Sequence, residues 1–482
     1  MRASAMLAVA AALQIGLAAQ SRNVGLLASL NPSATSTTVF NDVWGYLSPS
    51  GREVALMGSD EGTHVIDCTI PTAPVQTGLI PTEVPGTFFN TWRDIKVWGD
   101  YAYVVSEAYG GMQIIELTDP DSPTKLTLWG ATLWSNAHNI ALDEAAGLAY
   151  VCGTDTGTHV IDVGSNPTSP TLVFSLGAPY SHDLEAQNGY AYFADFFGNT
   201  FQIYDTSQLP TSLSRLSTRA MPGSQNSHSM WPTRDGLYCV ATNESLGGPV
   251  SIWDVSVKRL PQMIASYSTG PAMAIPHNPY VADRLAHLSY YTEGYRLLDL
   301  TDPANPEEVG FYDTSSIPAG GYDGAWGVYV QPRSGIVYIS DVQNGLFVLK
   351  PTASPVRYGV ATAGSKAQAP EIYAHGAPYL GNLAYRLVAE NGPPSAPGAI
   401  LFGAGRASLP LGSAIILVDL LGPSVIFPVV SDPNGTAVAL SPVPDEMQFA
   451  GGVIDAQFFF LDSATPGDAS ASEGLEFEMF VK

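Results

Sequence analysis

Seven short runs share one design, alternating residues that in most copies end on an acid before a turn. They read THVIDC (63–68), MQIIEL (112–117), THVIDV (158–163), FQIYDT (201–206), VSIWDV (250–255), YRLLDL (295–300) and GLFVLK (345–350). Before them come alternating runs rich in Ala-Tyr-Val, and after them proline turns such as TIPTAP, TDPDSP, GSNPTSP and TDPANP. Alternation at period two marks strands with two unlike faces. Asp94, His138, His182, His228 and His277 anchor the opening runs of successive units, 44, 44, 46 and 49 residues apart. Four strands at such a period cannot bury their apolar faces alone and pack as blades around an axis. The chain is therefore expected to be all-β, with a seven-bladed β-propeller over residues 21–351.

Closure of the ring can also be read. The last unit, GAWGVYVQPRSGIVYISDVQNGLFVLKP (324–351), stops after its third strand. Its missing fourth strand should resemble EEVGFYDT (307–314), and RNVGLLASL (22–30) offers that pattern at the other end of the chain. The N-terminal segment is expected to complete the seventh blade and remove an unpaired edge.

Residues 1–20, MRASAMLAVAAALQIGLAAQ, place one arginine before an apolar run that ends in small residues, the plan of a signal peptide. The chain is accordingly expected to be exported, to an extracellular, cell-surface or periplasmic location. Cys68, Cys152 and Cys239 are odd in number, and the last two fall in strands of different units, so buried free thiols are expected rather than a disulfide framework. The 20 basic and 44 acidic residues leave a net charge of −24, which repels a phosphate backbone and argues against nucleic acid as a partner.

Residues 352–370 read as a linker, and residues 371–482 as short strands between Gly, Pro and Asp turns, the pattern of a C-terminal β-sandwich. The apolar run from Ser413 to Val430 is interrupted by Asp419, Gly422, Pro423 and Pro428. It reads as two strands around a turn, so no transmembrane helix is expected in the mature chain.

The stretches FNDVWGYLSPSGREVALMGSDEGTHVID, WRDIKVWGDYAYVVSEAYGGMQIIELTDP, AHNIALDEAAGLAYVCGT and GAWGVYVQPRSGIVYISDVQNGLFVLKP resemble the LVIVD-repeat proteins called the choice-of-anchor B family. The resemblance spans about residues 40–351. It implies an exported bacterial propeller whose C-terminal attachment varies, and it supplies no biochemical activity.

In a four-stranded antiparallel blade, the start of the first strand and the end of the second share one face, and the first strand lines the channel. His138, His182, His228 and His277 should therefore surround one channel mouth, with Asp94 at the corresponding place in the second blade. Asp42, Trp44 and Trp326 are expected nearby. Second-strand ends add Glu107, Asp195, Glu244 and Glu293 to this face, and Asp183 follows His182 directly.

Two readings stay open. The histidines can staple neighbouring blades through hydrogen bonds. Alternatively, His138, His182, His228 and His277 can hold a divalent metal, with Asp94, Glu107, Asp183, Asp195, Glu244 and Glu293 as ligand-binding groups. Asp67, Asp162, Asp205, Asp254 and Asp299 read as turn caps. No Gly-x-Ser-x-Gly elbow, phosphate-cradling glycine loop or His-Glu-x-x-His pair is present. The functional expectation is a scaffold that binds a protein, glycan or small ligand at the propeller face, with the sandwich serving attachment or secretion. The alternative is a metal-dependent enzyme acting at the histidine-rich mouth.

Overall fold

A computed structural model describes residues 20–482 except 34, 36, 85–91, 178–179, 224–225, 367 and 466. The expected signal peptide therefore lies outside the described residues, apart from Gln20. The fold is all-β and propeller-like. Among the described residues, seven successive antiparallel sheets occupy residues 21–351, the first five built in simple chain order. Their first strands are Phe40–Leu47, Arg93–Trp98, Asn139–Asp143, Asp183–Gln187, Ser227–Pro232, Pro279–Ala282 and Ala325–Val330. Each first strand packs beside the next, and the last packs beside the first.

Burial follows the strand order within a sheet. Val337–Asp341, a second strand, is buried throughout, whereas Thr124–Trp129, a fourth strand, is half exposed. Val, Ile, Tyr and Phe on the inner strands interleave between neighbouring sheets. One such core joins Tyr103, Ile114, Ile140, Val151 and Ile161 of the second and third sheets. Each sheet buries its faces only because it has a neighbour on both sides.

The N-terminal segment pairs as the pattern predicted. Val24–Leu30 lies antiparallel to Gly345–Pro351 in the seventh sheet, from Val24 opposite Pro351 to Leu30 opposite Leu346. The structure adds one feature. Ser21–Arg22 pairs with Phe311 and Tyr312 of the sixth sheet, so the same segment ties two sheets together. Asn23, at a positive φ of 53°, marks the step between them. Its Nδ2 donates to the Val309 carbonyl at 3.0 Å and to the Val481 carbonyl at 2.9 Å.

Beyond residue 351, a sheet containing Pro397–Gly403, Ser424–Val430, Val453–Leu461 and Gly474–Glu478 faces a second sheet of Glu371–His375, Arg386–Glu390 and Ala437–Leu440. Tyr385, Leu387, Ile400, Phe458, Phe460 and Leu475 fill the space between them. The segment read as a linker contributes a strand of its own: Val356–Tyr358 pairs with Gly474–Glu476. Residues 413–430 form the two strands Ala414–Val418 and Ser424–Val430 around a turn. Among the described residues, no helix is long and apolar enough to cross a membrane.

This C-terminal unit packs against the fifth, sixth and seventh sheets at the end opposite the histidines. Arg234, in the turn after the first strand of the fifth sheet, meets Glu371 Oε2 at 2.5 Å and Glu390 Oε2 at 3.0 Å. Arg357 lies 3.9 Å from Asp283, in the equivalent turn of the sixth sheet. Ala377 and Phe480 join the same apolar core as Leu285, Tyr295 and Val328.

Candidate metal centre at the histidine mouth

Backbone bonds within each sheet set the histidines. The amides of His138, His182 and His277 donate to the carbonyls of Cys152, Ala194 and Ser289, at 3.1, 2.9 and 3.0 Å. Each bond clamps the start of a first strand to the second strand, leaving the side chain at the inner rim. The clamp is tight at His138: a Cβ on Gly153, at φ +64°, would lie 2.3 Å from the His138 Cβ. Only glycine fits there.

The four imidazoles form a continuous arc across the third to sixth sheets. Ring centroids are 3.9 Å apart for His138–His182, 4.6 Å for His182–His228 and 4.3 Å for His228–His277. One ring nitrogen from each of His138, His182 and His228 lies within 4.8 Å of the others. The same is true of His228, His277 and a Glu244 carboxylate oxygen. A tetrahedral zinc site with bonds of about 2.1 Å needs donors about 3.4 Å apart, so a contraction of roughly 1 Å or a little more closes either set.

Neighbouring groups orient these rings. His138 Nδ1 bonds Glu107 Oε1 at 2.6 Å. His277 Nδ1 donates to the Trp326 carbonyl at 2.6 Å, which leaves its Nε2 as the lone-pair nitrogen. Tyr291 donates its hydroxyl to Glu244 Oε1 at 2.6 Å. Carboxylate or carbonyl partners of this kind fix the tautomer of a ligating imidazole. His182 Nδ1, His228 Nδ1 and His277 Nε2 are buried with no hydrogen-bond partner among the described residues. An unpaired buried polar atom costs about 1–3 kcal/mol, and the nearby backbone of His228 and His277 offsets part of this at His182 and His228.

Electrostatics keep most of the arc neutral. Burial pushes the pKa of His277 down to about 3. It holds His182 well below the ordinary value, helped by the neighbouring His138 and His277. His228 is likewise well below it, through burial and then through His277, His182 and His138. At His138 burial also works downward, but the Glu107 bond and charge outweigh it and raise the pKa. Burial raises Glu244 to about 7. Neutral imidazoles are the metal-binding form.

Beneath the arc, Asp94 accepts from Lys96 Nζ at 2.5 Å and from the Asn139 amide group. Asp42 accepts from the Ile95 amide at 3.1 Å. Burial, then the Asp94 charge, raises Asp183 to about 7. Below this polar floor, Trp44, Trp231, Tyr280 and Tyr329 make mutual ring contacts beside a second cavity, with Lys96 Nζ 4.3 Å over the Trp44 ring.

The sequence-predicted residues thus divide. His138, His182, His228, His277 and Glu244 converge, Glu107 holds His138, and Asp94 and Asp183 lie in the floor. Two carboxylates expected to bind ligand are engaged elsewhere. Asp195 accepts from the Gly198 amide at 2.9 Å and Thr200 Oγ1 at 3.3 Å, capping the turn between two strands. Glu293 pairs with Arg296 at 3.0 Å. Sequence reasoning missed Tyr291, Trp92 and Phe196. Tyr291 sits at φ 32° just past a second strand, within the same YYTEG run as Glu293, and only its neighbour in that run was singled out. Asp67, Asp162, Asp205, Asp254 and Asp299 each accept a backbone amide two or three residues ahead, as turn caps should.

A model of the LVIVD repeat matches residues 91–127 and 136–177, which span the second and third sheets. The chain carries LVIVD repeats. Among solved structures, the LVIVD-repeat chain resembles the hydrazine synthase of Kuenenia stuttgartiensis at 13% identity and TM-score 0.50, covering 68% of this chain and 100% of that one. It also resembles the RRP9 WD40 repeats at 12% identity and TM-score 0.49, covering 69% and 99%. At such identities the likeness concerns the fold alone. No curated protein matches the chain in sequence.

Proposed function

We propose that this LVIVD-repeat chain is an exported seven-bladed β-propeller that binds a divalent transition-metal ion at its histidine mouth. In this reading residues 1–20 are a signal peptide and the N-terminal strand closes the ring. Residues 371–482 form a β-sandwich serving attachment or secretion. The propeller-like repeat fold itself suggests a binding or scaffold role. The observation that carries the metal is the convergence of one ring nitrogen from each of His138, His182 and His228 to within 4.8 Å, in an arc where burial holds His182, His228 and His277 neutral. His277 bonds the Trp326 carbonyl of the next sheet, and the backbone at His228 and at His277 bears in the same way on the His182 and His228 rings, so stapling and metal binding draw on the same arc. The three imidazoles of His138, His182 and His228 suit zinc or copper, whereas calcium and magnesium prefer oxygen donors.

The test is elemental analysis and zinc titration calorimetry on protein purified without a metal-affinity tag. One ion per chain is expected, and the His182→Ala, His228→Ala double variant should take up none. Uptake that survives in the double variant, or none in the parent, overturns the site.

A further inference from the structure

The mouth carries a second pattern, made of rings. Phe197 is 78% exposed and Tyr322 54% exposed, both large for aromatic side chains with apolar neighbours. Each connects inward to the metal cluster through one further ring. Phe197 meets Phe196 at 5.5 Å, and Phe196 stacks on His182 at 4.7 Å and 19°. Tyr322 meets Tyr291 at 5.3 Å, and Tyr291 meets His277 at 4.8 Å. Trp92 and Trp326 stack at 4.2 Å, and Trp326 lies 4.3 Å from His277. The arc of imidazoles thus opens onto aromatic surface at His182 and at His277.

Across the floor Asp94 bonds both Lys96 and Asn139, and under them Trp44, Trp231, Tyr280 and Tyr329 contact one another beside a second cavity that Trp44 and Trp231 help to line. An ion on His138, His182 and His228 has three protein donors, and such a site keeps a further position for an outside ligand. The cavity that His138, His228 and His277 line also takes in Trp92 and Trp326, so that position has aromatic rings beside it. Glu244 lies beside it, with one oxygen taken by Tyr291 and the other 3.7 Å from His228 Nε2. It can accept a proton-bearing group of whatever the ion holds.

We infer that the metal takes an aromatic ligand bearing an oxygen donor together with an N–H or O–H group, as in hydroxamic acids and catechols. The oxygen would sit on the ion, the N–H or O–H would donate to Glu244, and the ring would lie on the aromatic rim. The inference rests on the metal reading above, and the probe separates the two. Cobalt(II) replaces the ion and reports its coordination through its visible absorption. Benzohydroxamic acid, which carries the ring, is compared with acetohydroxamic acid, which lacks it.

Both should change the cobalt spectrum, with the benzo compound bound about tenfold more tightly through ring stacking. Phe197→Ala and Tyr322→Ala should each shrink that preference while leaving cobalt uptake unchanged, since both side chains are largely exposed. Equal affinity for the two probes, or a spectrum indifferent to both in cobalt-loaded protein, overturns the inference and leaves the metal site standing. Failure to take up cobalt overturns the metal site as well.

Discussion

The two ends of the ring region handle buried charge in opposite ways. At the end facing the C-terminal unit, cations are matched: Arg234 lies between Glu371 and Glu390, and Arg284 meets Asp235 at 2.5 Å and covers the Tyr238 ring at 4.7 Å. At the histidine end the buried unpartnered nitrogens belong to imidazoles that face one another, where the other end leaves single atoms of Arg284, Arg386 and His375, and the carboxyl groups of Glu244 and Asp183 are pushed to about 7. One end spends its polar groups on holding the chain together. The other keeps donors uncommitted, which lowers stability and is what a binding site requires.

The largest effect that would sharpen this contrast concerns single truncations in metal-free protein. Arg284, with a side chain 7% exposed, leaves Asp235 unpaired when removed. Arg284→Ala should lower unfolding free energy by about 3 kcal/mol in urea denaturation. His228→Leu, which removes an unpartnered buried nitrogen at similar volume, should cost less than about 1 kcal/mol or even stabilise. A larger loss for His228→Leu than for Arg284→Ala would reverse the assignment of roles.

Acid gives the next effect. His277 has a folded pKa of about 3 against an ordinary 6.5, so between those values the unfolded chain binds a proton that the folded chain refuses. Its contribution to stability is therefore complete above 6.5 and declines as pH falls through that window. Glu244 and Asp183 carry the opposite sign. Their folded forms hold protons up to about 7, and the stability this confers is lost as pH rises through it. His277→Gln removes only the first contribution, so between about pH 6 and 4 the variant's stability should fall less steeply, by about 1.4 kcal/mol per pH unit. Parallel curves would show that His277 is not held neutral by the fold.

The smallest effect falls on a residue that touches the site indirectly. Glu107 positions His138 through a 2.6 Å bond. Glu107→Gln should weaken zinc binding about tenfold with little change in metal-free stability, the usual size of a loss of support behind a ligand. Unchanged zinc affinity would place His138 outside the metal's ligands.

Much of this arrangement was legible because it is local and repeated. Strand alternation, proline turns and the spacing from Asp94 to His277 are visible within any one unit, and four histidines at one repeat position can only face one end of the sheets. Turn caps and ligands were harder to tell apart. Asp195 and Glu244 both follow second strands, yet the first bonds its own turn while the second reaches a tyrosine 47 residues away. Contacts of that range leave no mark on neighbouring residues. The clasp of Glu371 and Glu390 on Arg234, and the strand at Val356–Tyr358 within a Pro- and Ala-containing stretch, were hidden for the same reason.

The pairing of Val24–Leu30 with Gly345–Pro351 bears on how the chain reaches this state. Val24–Leu30 must wait during synthesis for nearly the whole ring region before its partner exists. Contacts of such sequence separation slow folding far more than they lower final stability. Until residue 345 is available, the sixth sheet also lacks a settled cover, since Ser21–Arg22 is anchored to Phe311 and Tyr312 by the same segment. A chain interrupted short of that point would show open strand edges at both of its ends, which is the state most prone to aggregation. Quality control of this protein should therefore act on truncated and slowly closing chains, well before any defect at the mouth is felt.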